Sequence, residues 1–297
     1  DRFFSVMEQS LSAYWDWVAT TSFHLRQDRP SVTDIFYRQI VLSLLDQLVS
    51  GNPRRILKLD AYNEATNTQY GYYLMKNDRE LVLVDISSGI AKKAYERAKA
   101  KKLYGRTHIV VGDFRRLPLR SGCVDMSCSF GSIEHVPEYD VAFCEQVRVV
   151  KEGGEVVVGV PNIANLWFRV VSTKILHVLG LMRKMTNPEK HFLRPQLIAL
   201  AKSLGLSDIV FSGYHLFPKQ LRWLDLWLDS RGRNPLRRSG LFFWLLKGFT
   251  LLELKYPFVR NFAEMILVRG VRVVGQDRGR RSIGDEAADK GLLKQST

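Results

Sequence analysis

Apolar positions along the chain follow two patterns, one typical of buried strands and one typical of helices. Short continuous apolar runs predict five strands, bounded by turn-forming and charged residues. They are Arg55–Asp60, Leu81–Asp85, His108–Val111, Val124–Phe130 and Glu155–Val160. Helical spacing predicts intervening helices over Gly89–Lys102 and roughly Glu138–Val150. Because strands that alternate with helices are joined by crossovers, the pattern predicts an α/β fold with a parallel sheet.

The two ends of the chain extend this pattern. Helices are predicted in residues 1–50, where one apolar stripe precedes a second helix over Thr33–Val49. The stripe consists of Phe3, Phe4, Met7, Leu11, Tyr14, Trp15 and Val18. Beyond the fifth strand, Arg194–Leu204 reads as a helix, and Asp208–Ser212 and Ala263–Arg269 as a final strand pair.

These elements divide the chain into three parts. We expect an N-terminal helical segment over residues 1–52 and an α/β domain over residues 53–274. Two helical insertions are expected. The one at 166–190 follows the fifth strand, and the one at 216–261 separates the last two strands. Residues 275–297 are rich in Arg, Gly and Asp with few apolar positions, so they predict a disordered tail.

The charge of the chain is strongly basic and unevenly placed. The net charge is +14, and the stretch from Leu166 to Arg260 contains 16 Lys or Arg against 5 Asp or Glu. Such a field attracts anionic partners: phosphate-bearing substrates, an acidic membrane surface or nucleic acid. Nucleic acid is the partner we do not expect, because neither an aromatic-interleaved basic platform nor an RNA-binding motif is present.

The cysteines and the apolar runs indicate in which cellular compartment the protein is expected. Cys123, Cys128 and Cys144 have neither metal-ligand spacing nor an even count, so no metal is predicted and the thiols read as reduced, buried side chains. No charged-then-apolar N-terminal signal is visible, and no apolar run approaches the ~20 residues that cross a bilayer. A cytoplasmic protein is therefore expected.

Acidic and small residues follow the predicted strands at their carboxyl ends, where open α/β sheets bind ligands. Asp60 ends the first strand and Asp85 the second. The third is followed by Gly112-Asp113-Phe114, and Ser129-Phe130-Gly131-Ser132 closes the fourth. An acceptor oxygen, a backbone donor and a flat apolar wall, all of which Gly112-Asp113-Phe114 can supply, suit an adenine ring.

The stretch GDFRRLPLRSGCVDMSCSFGSIEHVPE, followed by VRVVKEGGEVVVGVPN, resembles the second half of a class I S-adenosylmethionine-dependent methyltransferase of the small-molecule type. The resemblance covers roughly Arg55 to Gly270 and is strongest over Ile109–Asn162. It implies a doubly wound, Rossmann-like seven-stranded sheet whose last strand is antiparallel. It also implies S-adenosylmethionine as the cofactor, bound over strands one to four.

The resemblance also implies roles for individual residues. Asp85 matches the family's ribose-binding acid, and Asp113 matches the acid that meets the adenine amino group. The full set of cofactor-binding residues expected on this basis is Asp60, Glu64, Asp85, Ile86, Gly112, Asp113, Phe114, Ser129 and Phe130.

The chain departs from the family pattern after the first strand. An acidic-x-Gly-x-Gly loop is normal there, and Asp60 matches its acid, but Ala61, Tyr62, Asn63 and Glu64 replace the glycine-bearing part. Either Asn63 and Glu64 give the cofactor a more polar approach, or cofactor binding is lost. Glu64 could equally serve as a helix N-terminal acid.

His135 follows the fourth strand and is the candidate catalytic residue, since a histidine can act as a general base near neutral pH. A structural role at the edge of the cofactor is the alternative. Methyl transfer needs little acid–base help, and the alignment of nucleophile, methyl carbon and leaving sulfur does much of the work.

The insertion over Leu216–Asn261 is the expected acceptor region. Its leucines and tryptophans adjoin Arg231, Arg233, Arg237 and Arg238. This composition suits a pocket for a long apolar substrate with a phosphate head, an interfacial helix on an anionic membrane through 216–255, or a plain helical lid. For the chain as a whole we expect a small, lipid- or sugar-linked acceptor. The sequence thus predicts a methyltransferase, with a degenerate, non-catalytic binding module, peripheral to membranes or not, as the alternative.

Overall fold

The computed structural model describes residues 10–26, 29–165 and 189–273 of the chain. Within these ranges seven strands form one sheet in the order β3-β2-β1-β4-β5-β7-β6. The strands are β1 Arg55–Leu59, β2 Glu80–Asp85, β3 Thr107–Val111, β4 Val124–Phe130, β5 Val150–Pro161, β6 Leu206–Tyr214 and β7 Met265–Arg272. Strands β1 to β5 are parallel, whereas β7 runs antiparallel to both β5 and β6. The predicted doubly wound sheet with an antiparallel last strand is confirmed.

The helices predicted over Thr33–Val49, Gly89–Lys102, Glu138–Val150 and Arg194–Leu204 lie close to those positions, whereas two short helices between the first two strands were not predicted. The helices are α1 Leu11–Thr21, α2 Val32–Leu48, α3 Tyr62–Ala65, α4 Tyr70–Leu74, α5 Ser88–Ala100, α6 Tyr139–Arg148, α7 Arg194–Ser203, α8 Lys219–Ser230 and α9 Gly240–Lys255. Short 3₁₀ segments cover Phe23–Arg26, Tyr104–Arg106, Ile133–His135, Pro235–Arg238 and Pro257–Phe262. Strand β5 starts earlier than predicted, because Val150 pairs with Val124 ahead of a register shift that absorbs the polar, glycine-bearing residues before Glu155.

Alternate residues of each strand enter cores on opposite faces of the sheet, as expected for strands buried on both sides. On β1, Ile56 packs in one core with Leu44 of α2 and Ile90 of α5. Its neighbour Leu57 packs in the other core with Phe143 of α6. The helices thus cover both faces and leave the carboxyl ends of the parallel strands as the site for ligands.

The insertion over 216–261 forms α8, α9 and two 3₁₀ segments. Phe242 and Leu246 of α9 pack on Phe36 of α2 and on Phe217. Together these residues form a third, smaller core. Most of the predicted insertion at 166–190, the first residues of the N-terminal stripe and the predicted tail lie outside the described residues. No helix in the described ranges is long and apolar enough to span a bilayer.

Candidate functional site

A cavity of about 310 Å³ lies at the carboxyl ends of β1 to β4, where the strand order reverses between β1 and β4. Open α/β sheets bind ligands at this switch point, and the volume is in the range of small-molecule sites. Six of the predicted site residues line it: Asp60, Asp85, Ile86, Phe114, Phe130 and His135. We call this space the first cavity.

Asp85 is the buried carboxylate of the first cavity. Its Oδ2 accepts a hydrogen bond from the Ala61 N–H at 2.7 Å, and its Oδ1 accepts one from the Ser87 N–H at 2.8 Å. Burial raises the pKa of Asp85 to about 7, against the opposing effect of these two donors. Because each carboxylate oxygen can accept a second bond, both remain able to meet neighbouring hydroxyl groups of a ligand.

Asp60 organises the first loop. It adopts a left-handed backbone conformation with φ of 60°, which aspartate tolerates better than most residues. Its Oδ1 accepts hydrogen bonds from Lys58 Nζ at 2.9 Å and from the Tyr62 N–H at 3.0 Å. The hydroxyl of Ser132 donates to its other oxygen, so Asp60 joins the loop after β1 to the turn after β4.

Glu64 does not line the first cavity. It is fully buried, its Oε2 lies 3.0 Å from Lys58 Nζ, and its Oε1 accepts a hydrogen bond from the Gly71 N–H at 2.7 Å. Burial raises the pKa of Glu64, and the adjacent ammonium opposes that shift. The geometry therefore does not support the expected direct contact between Glu64 and a cofactor. Glu64 instead supports the loop from beneath, where the family pattern has glycine.

Gly112, Asp113 and Ser129 are also placed outside the lining of the first cavity. Arg115 Nη2 lies 2.6 Å from Asp113 Oδ2, and although burial acts to raise the pKa of Asp113, the bonds from Arg115 lower it overall. Ser129 is fully buried and donates to Gln146 Oε1 at 3.1 Å. Of the turn after β3, Phe114 is the predicted residue that faces the cavity.

Helix α1 forms the outer wall of the first cavity, through Tyr14, Trp15 and Val18. Asp16 attaches this helix to α5, since its Oδ1 accepts hydrogen bonds from Ser87 Oγ at 2.6 Å and from the Gly89 N–H at 3.1 Å. The sequence stripe that contains these residues indicated helix packing only. Its aromatic content, two rings beside each other in an amphipathic helix, is the signal that could have indicated a ligand wall.

The close approach of α1 and α5 depends on a glycine. A Cβ added at Gly89 would lie 2.9 Å from the Cβ of Ala19, nearer than carbon atoms pack. Any larger residue at position 89 would therefore push α1 away from the cavity.

His135 borders the first cavity as predicted, in the 3₁₀ turn that follows β4. Its ring meets that of Trp15 edge-on, with the centroids 5.1 Å apart. This contact makes His135 part of the junction between α1 and the sheet, and a catalytic role stays a prediction.

A second cavity of about 800 Å³ adjoins the first. Both are bordered by Tyr62, Asn63, Phe130 and Glu189, so these residues stand between the two spaces. Helix α8, part of the insertion expected to hold an acceptor, supplies much of the remaining wall. The aromatic residues of the wall are Tyr37, Tyr62, Tyr70, Phe130, Tyr214 and Trp223.

A polar cluster that the sequence pattern did not predict lies at the second cavity. Arg222 Nη2 donates to Asp34 Oδ1 at 2.8 Å and lies 3.2 Å from His24 Nε2. Although burial acts to raise the pKa of Asp34, the Arg222 guanidinium holds it well below its usual range. Tyr62 Oη is 3.1 Å from Ser22 Oγ. An arginine at a helix position between Leu221 and Trp223 could have suggested a buried carboxylate partner.

The arrangement suits two ligands held side by side, one against a buried carboxylate and one among aromatic rings. Within the described ranges, no group of three or more His, Cys, Asp or Glu side chains could hold a metal ion.

Comparison with known proteins matches part of the α/β domain to a known family. Residues 66–158 match the family model described as a methyltransferase domain. A segment of 76 residues is 34% identical to the ubiquinone/menaquinone biosynthesis C-methyltransferase UbiE of Rhizobium johnstonii. That segment is 26% of this chain, and the chain covers 30% of that relative's length.

Solved structures of similar fold extend over most of the chain. Phosphoethanolamine N-methyltransferase 2 of Haemonchus contortus, in complex with phosphomonomethylethanolamine and S-adenosylhomocysteine, is 16% identical with a TM-score of 0.56, covering 89% of this chain and 60% of that one. Geranyl diphosphate C-methyltransferase of Streptomyces coelicolor, in complex with Mg²⁺, geranyl diphosphate and S-adenosylhomocysteine, is 15% identical with a TM-score of 0.50, covering 78% and 76%. At these identities the likeness establishes the fold.

Proposed function

We propose that the chain is a class I S-adenosylmethionine-dependent methyltransferase, which transfers a methyl group from S-adenosylmethionine, bound in the first cavity, to an acceptor in the second. The observation that carries the proposal is the pair of adjoining cavities, one with a buried carboxylate at the carboxyl end of β2 and one bordered by the inserted helix α8. Such a carboxylate binds the vicinal hydroxyls of a ribose.

The side chains of the first cavity fit a nucleoside. Each carboxylate oxygen of Asp85 accepts one backbone hydrogen bond, from Ala61 or Ser87, and can accept a second one from a ribose hydroxyl. Ile86 and Phe114 provide apolar surfaces for the adenine ring. Asp60 lies beside the first loop, where it is placed to meet the charged amino group of the cofactor's amino-acid part.

S-adenosylmethionine supplies a methyl group that its sulfonium already activates. The chain's own residues then have to orient the acceptor and exclude water. Helix α1 closes one side of the first cavity, and Tyr62 and Phe130 stand at the boundary where the acceptor approaches. His135 serves in this scheme as a wall residue held by Trp15, since no strong base is required at a sulfonium.

For the acceptor we propose a small molecule with an apolar body, free or linked to a lipid or sugar. The second cavity is large, and its wall is rich in aromatic side chains, which favour flat or isoprenoid-like groups. The two solved relatives hold small molecules of different chemistry, so the fold by itself does not select an acceptor.

Calorimetric titration of the whole chain tests this function. We expect S-adenosylmethionine and S-adenosylhomocysteine to bind with micromolar dissociation constants, and Asp85→Ala to weaken both at least about fiftyfold. Asp78→Ala, which removes an exposed carboxylate in the turn before β2, is the matched control. If neither nucleoside binds the natural chain, the methyltransferase proposal is wrong and the degenerate binding module takes its place.

We also propose that the protein docks on anionic membranes through α9. The helix is apolar on two opposite sides: Phe242 and Leu246 enter the core, while Leu241 and Trp244 are 77% and 70% exposed. Leu251 and Leu252 continue the exposed stripe at helical spacing, and Phe258 and Phe262 extend it beyond the helix. We call this stripe the outer face of α9.

The charge around the outer face supports a lipid surface as its partner. Exposed basic residues occur in the same stretch of the chain, at Arg231, Arg233, Arg237, Arg238, Lys247 and Lys255. Exposed tryptophan, phenylalanine and leucine side chains with lysine and arginine beside them are typical of helices that lie in the interface of anionic bilayers. A helix with one apolar face in the core and a second apolar face exposed to solvent suits such a partner.

A further inference from the structure

Arg222 borders the second cavity and has a buried donor that no described residue satisfies. Its side chain is 12% exposed, and its guanidinium lies over the Tyr37 ring at 4.1 Å from the centroid. Nη2 bonds to Asp34, whereas Nη1 is buried and has no hydrogen-bond partner among the described residues. Asp34 and Tyr37 therefore fix the position of the guanidinium, and Nη1 is left without a hydrogen-bond acceptor among the described residues.

We propose that Arg222 binds an oxyanion of the acceptor: a carboxylate, phosphate or phenolate joined to an apolar, ring-sized body. This inference rests on the proposed function, because it assigns the second cavity to the acceptor. A guanidinium carries five N–H donors in a fixed plane and binds anionic oxygens more strongly than neutral ones. An ammonium in its place would offer a point charge without that geometry.

The second cavity is bordered by two cations, Arg222 and Lys219, and by two carboxylates, Glu189 and Glu264. Asp34 contacts Nη2 and so compensates that side of the guanidinium. Lys219, one turn earlier on α8, borders the same cavity and adds a second cation. Glu264 also borders it, but its Oε2 accepts a hydrogen bond from Tyr37 Oη at 3.1 Å, which directs that carboxylate to the wall.

The aromatic wall determines where the rest of the acceptor lies. Tyr70 and Tyr214 border the cavity together with Arg222, and Tyr62 and Phe130 close it towards the first cavity. An acceptor anchored through its oxyanion at Arg222 and lying along these rings directs its other end to the cofactor. Arg222 is thus a specificity residue that fixes which end of the acceptor is methylated.

Two ligands of nearly the same shape, one anionic and one neutral, test the inference: 2-naphthoate and 2-naphthamide. Titrated into the chain in the presence of S-adenosylhomocysteine, 2-naphthoate is expected to bind at least about tenfold more tightly. Arg222→Gln should abolish this preference, and Arg222→Lys should retain only part of it. Arg231→Gln, which changes an exposed arginine directly after the same helix, should leave the preference unchanged.

Because Arg222 is paired with Asp34 in the interior, Arg222→Gln leaves the Asp34 charge uncompensated and can unfold the protein for that reason alone. The double variant Asp34→Asn/Arg222→Gln removes both charges, and its thermal melting verifies folding. Loss of the preference in that folded variant supports the inference. Equal binding of the two naphthalenes by the natural chain, or a preference that survives in the folded double variant, overturns it.

Two further arms identify the source of the oxyanion and separate this inference from the proposed function. Displacement of 2-naphthoate by phosphatidic acid in phosphatidylcholine vesicles indicates a lipid acceptor, whereas displacement by 2-naphthyl phosphate alone indicates a soluble one; either supports the oxyanion site. Titration of S-adenosylhomocysteine alone reports on the first cavity, so its failure to bind would refute the proposed function independently of the naphthoate result.

Discussion

The ammonium of Lys58 and a carboxylate oxygen of Glu64 lie 3.0 Å apart, and both side chains are fully buried beneath the first loop. Asp60 completes the group with an oxygen 2.9 Å from the same ammonium. A loop that lacks glycines is thus held by a charged cluster in the interior of the sheet. Removing one member of such a cluster leaves an uncompensated charge, which costs far more than the cluster contributes.

Lys58→Met should therefore destabilise the fold by about 3–5 kcal/mol, because Asp60 and Glu64 would lose their shared cation. Urea unfolding followed by circular dichroism measures the free energy of unfolding. The double variant Lys58→Met/Glu64→Gln should recover part of the loss, since it also removes the deepest carboxylate. A loss below about 1 kcal/mol in the single variant would show that the cluster is not needed.

Asp85→Asn should change how stability depends on pH. Burial raises the folded-state pKa of Asp85 to about 7 from an ordinary value of 3.8, so the folded protein binds this proton more tightly than the unfolded chain. The resulting contribution to stability is present below the ordinary pKa and is lost as pH rises to about 7.

Between pH 5 and pH 8 the natural chain should accordingly lose about 2 kcal/mol relative to Asp85→Asn. Urea unfolding of both proteins at the two pH values gives the difference, in which other titrating groups cancel. A constant difference would mean that Asp85 stays ionised throughout. The same variant should bind S-adenosylhomocysteine poorly, so stability and binding would change in opposite directions.

Asp16→Ala should loosen α1 without disturbing the sheet. The carboxylate of Asp16 holds Ser87 and Gly89 at the start of α5, and Tyr14 and Trp15 form the cavity wall beside it. Loss of these charge-assisted bonds should weaken S-adenosylhomocysteine binding about tenfold and speed hydrogen exchange in α1. Asp46→Ala, on the exposed side of α2, is the control. An unchanged affinity for S-adenosylhomocysteine would show that α1 is not part of the binding site.

Trp244→Glu/Leu251→Glu should abolish membrane docking while leaving the fold intact, because both side chains point away from the core. The natural chain should co-float with vesicles rich in phosphatidylserine at low salt, and less at high salt, where screening weakens the basic contribution. Tyr104→Glu, exposed elsewhere, should behave like the natural chain. Failure of the natural chain to co-float at low salt would remove the proposal.

Much of the sheet could be predicted because continuous apolar runs between amphipathic helices are typical of strands that are buried on both faces. The same logic placed Asp85 and Phe130 at strand ends, where the structure has them beside the first cavity. Glu64 could not be placed in this way, since the family pattern fixes its position along the loop and not the direction of its side chain. Lys58, a cation inside an apolar strand, was the available sign of a buried acid nearby.

The contacts of the N-terminal helix and of the insertion could not be predicted for a different reason. Helical periodicity identifies an apolar face, but not the surface that the face covers. Periodicity therefore assigns Trp15 to the apolar stripe of a helix, although it borders the first cavity, and does not predict the pairing of Arg222 with Asp34 in the interior. Contacts between residues nearly two hundred positions apart depend on the tertiary arrangement.

For the proposed methyl transfer, the attachment of α1 to α5 has a consequence for the rate of turnover. A nucleoside seated behind Tyr14, Trp15 and Val18 leaves most directly when that helix lifts, which breaks the bonds that Asp16 accepts from Ser87 and Gly89. The spent cofactor would then depart more slowly than the methyl group is transferred, and release of product would set the pace of the catalytic cycle. A first turnover faster than all later ones is the kinetic signature of such a gate.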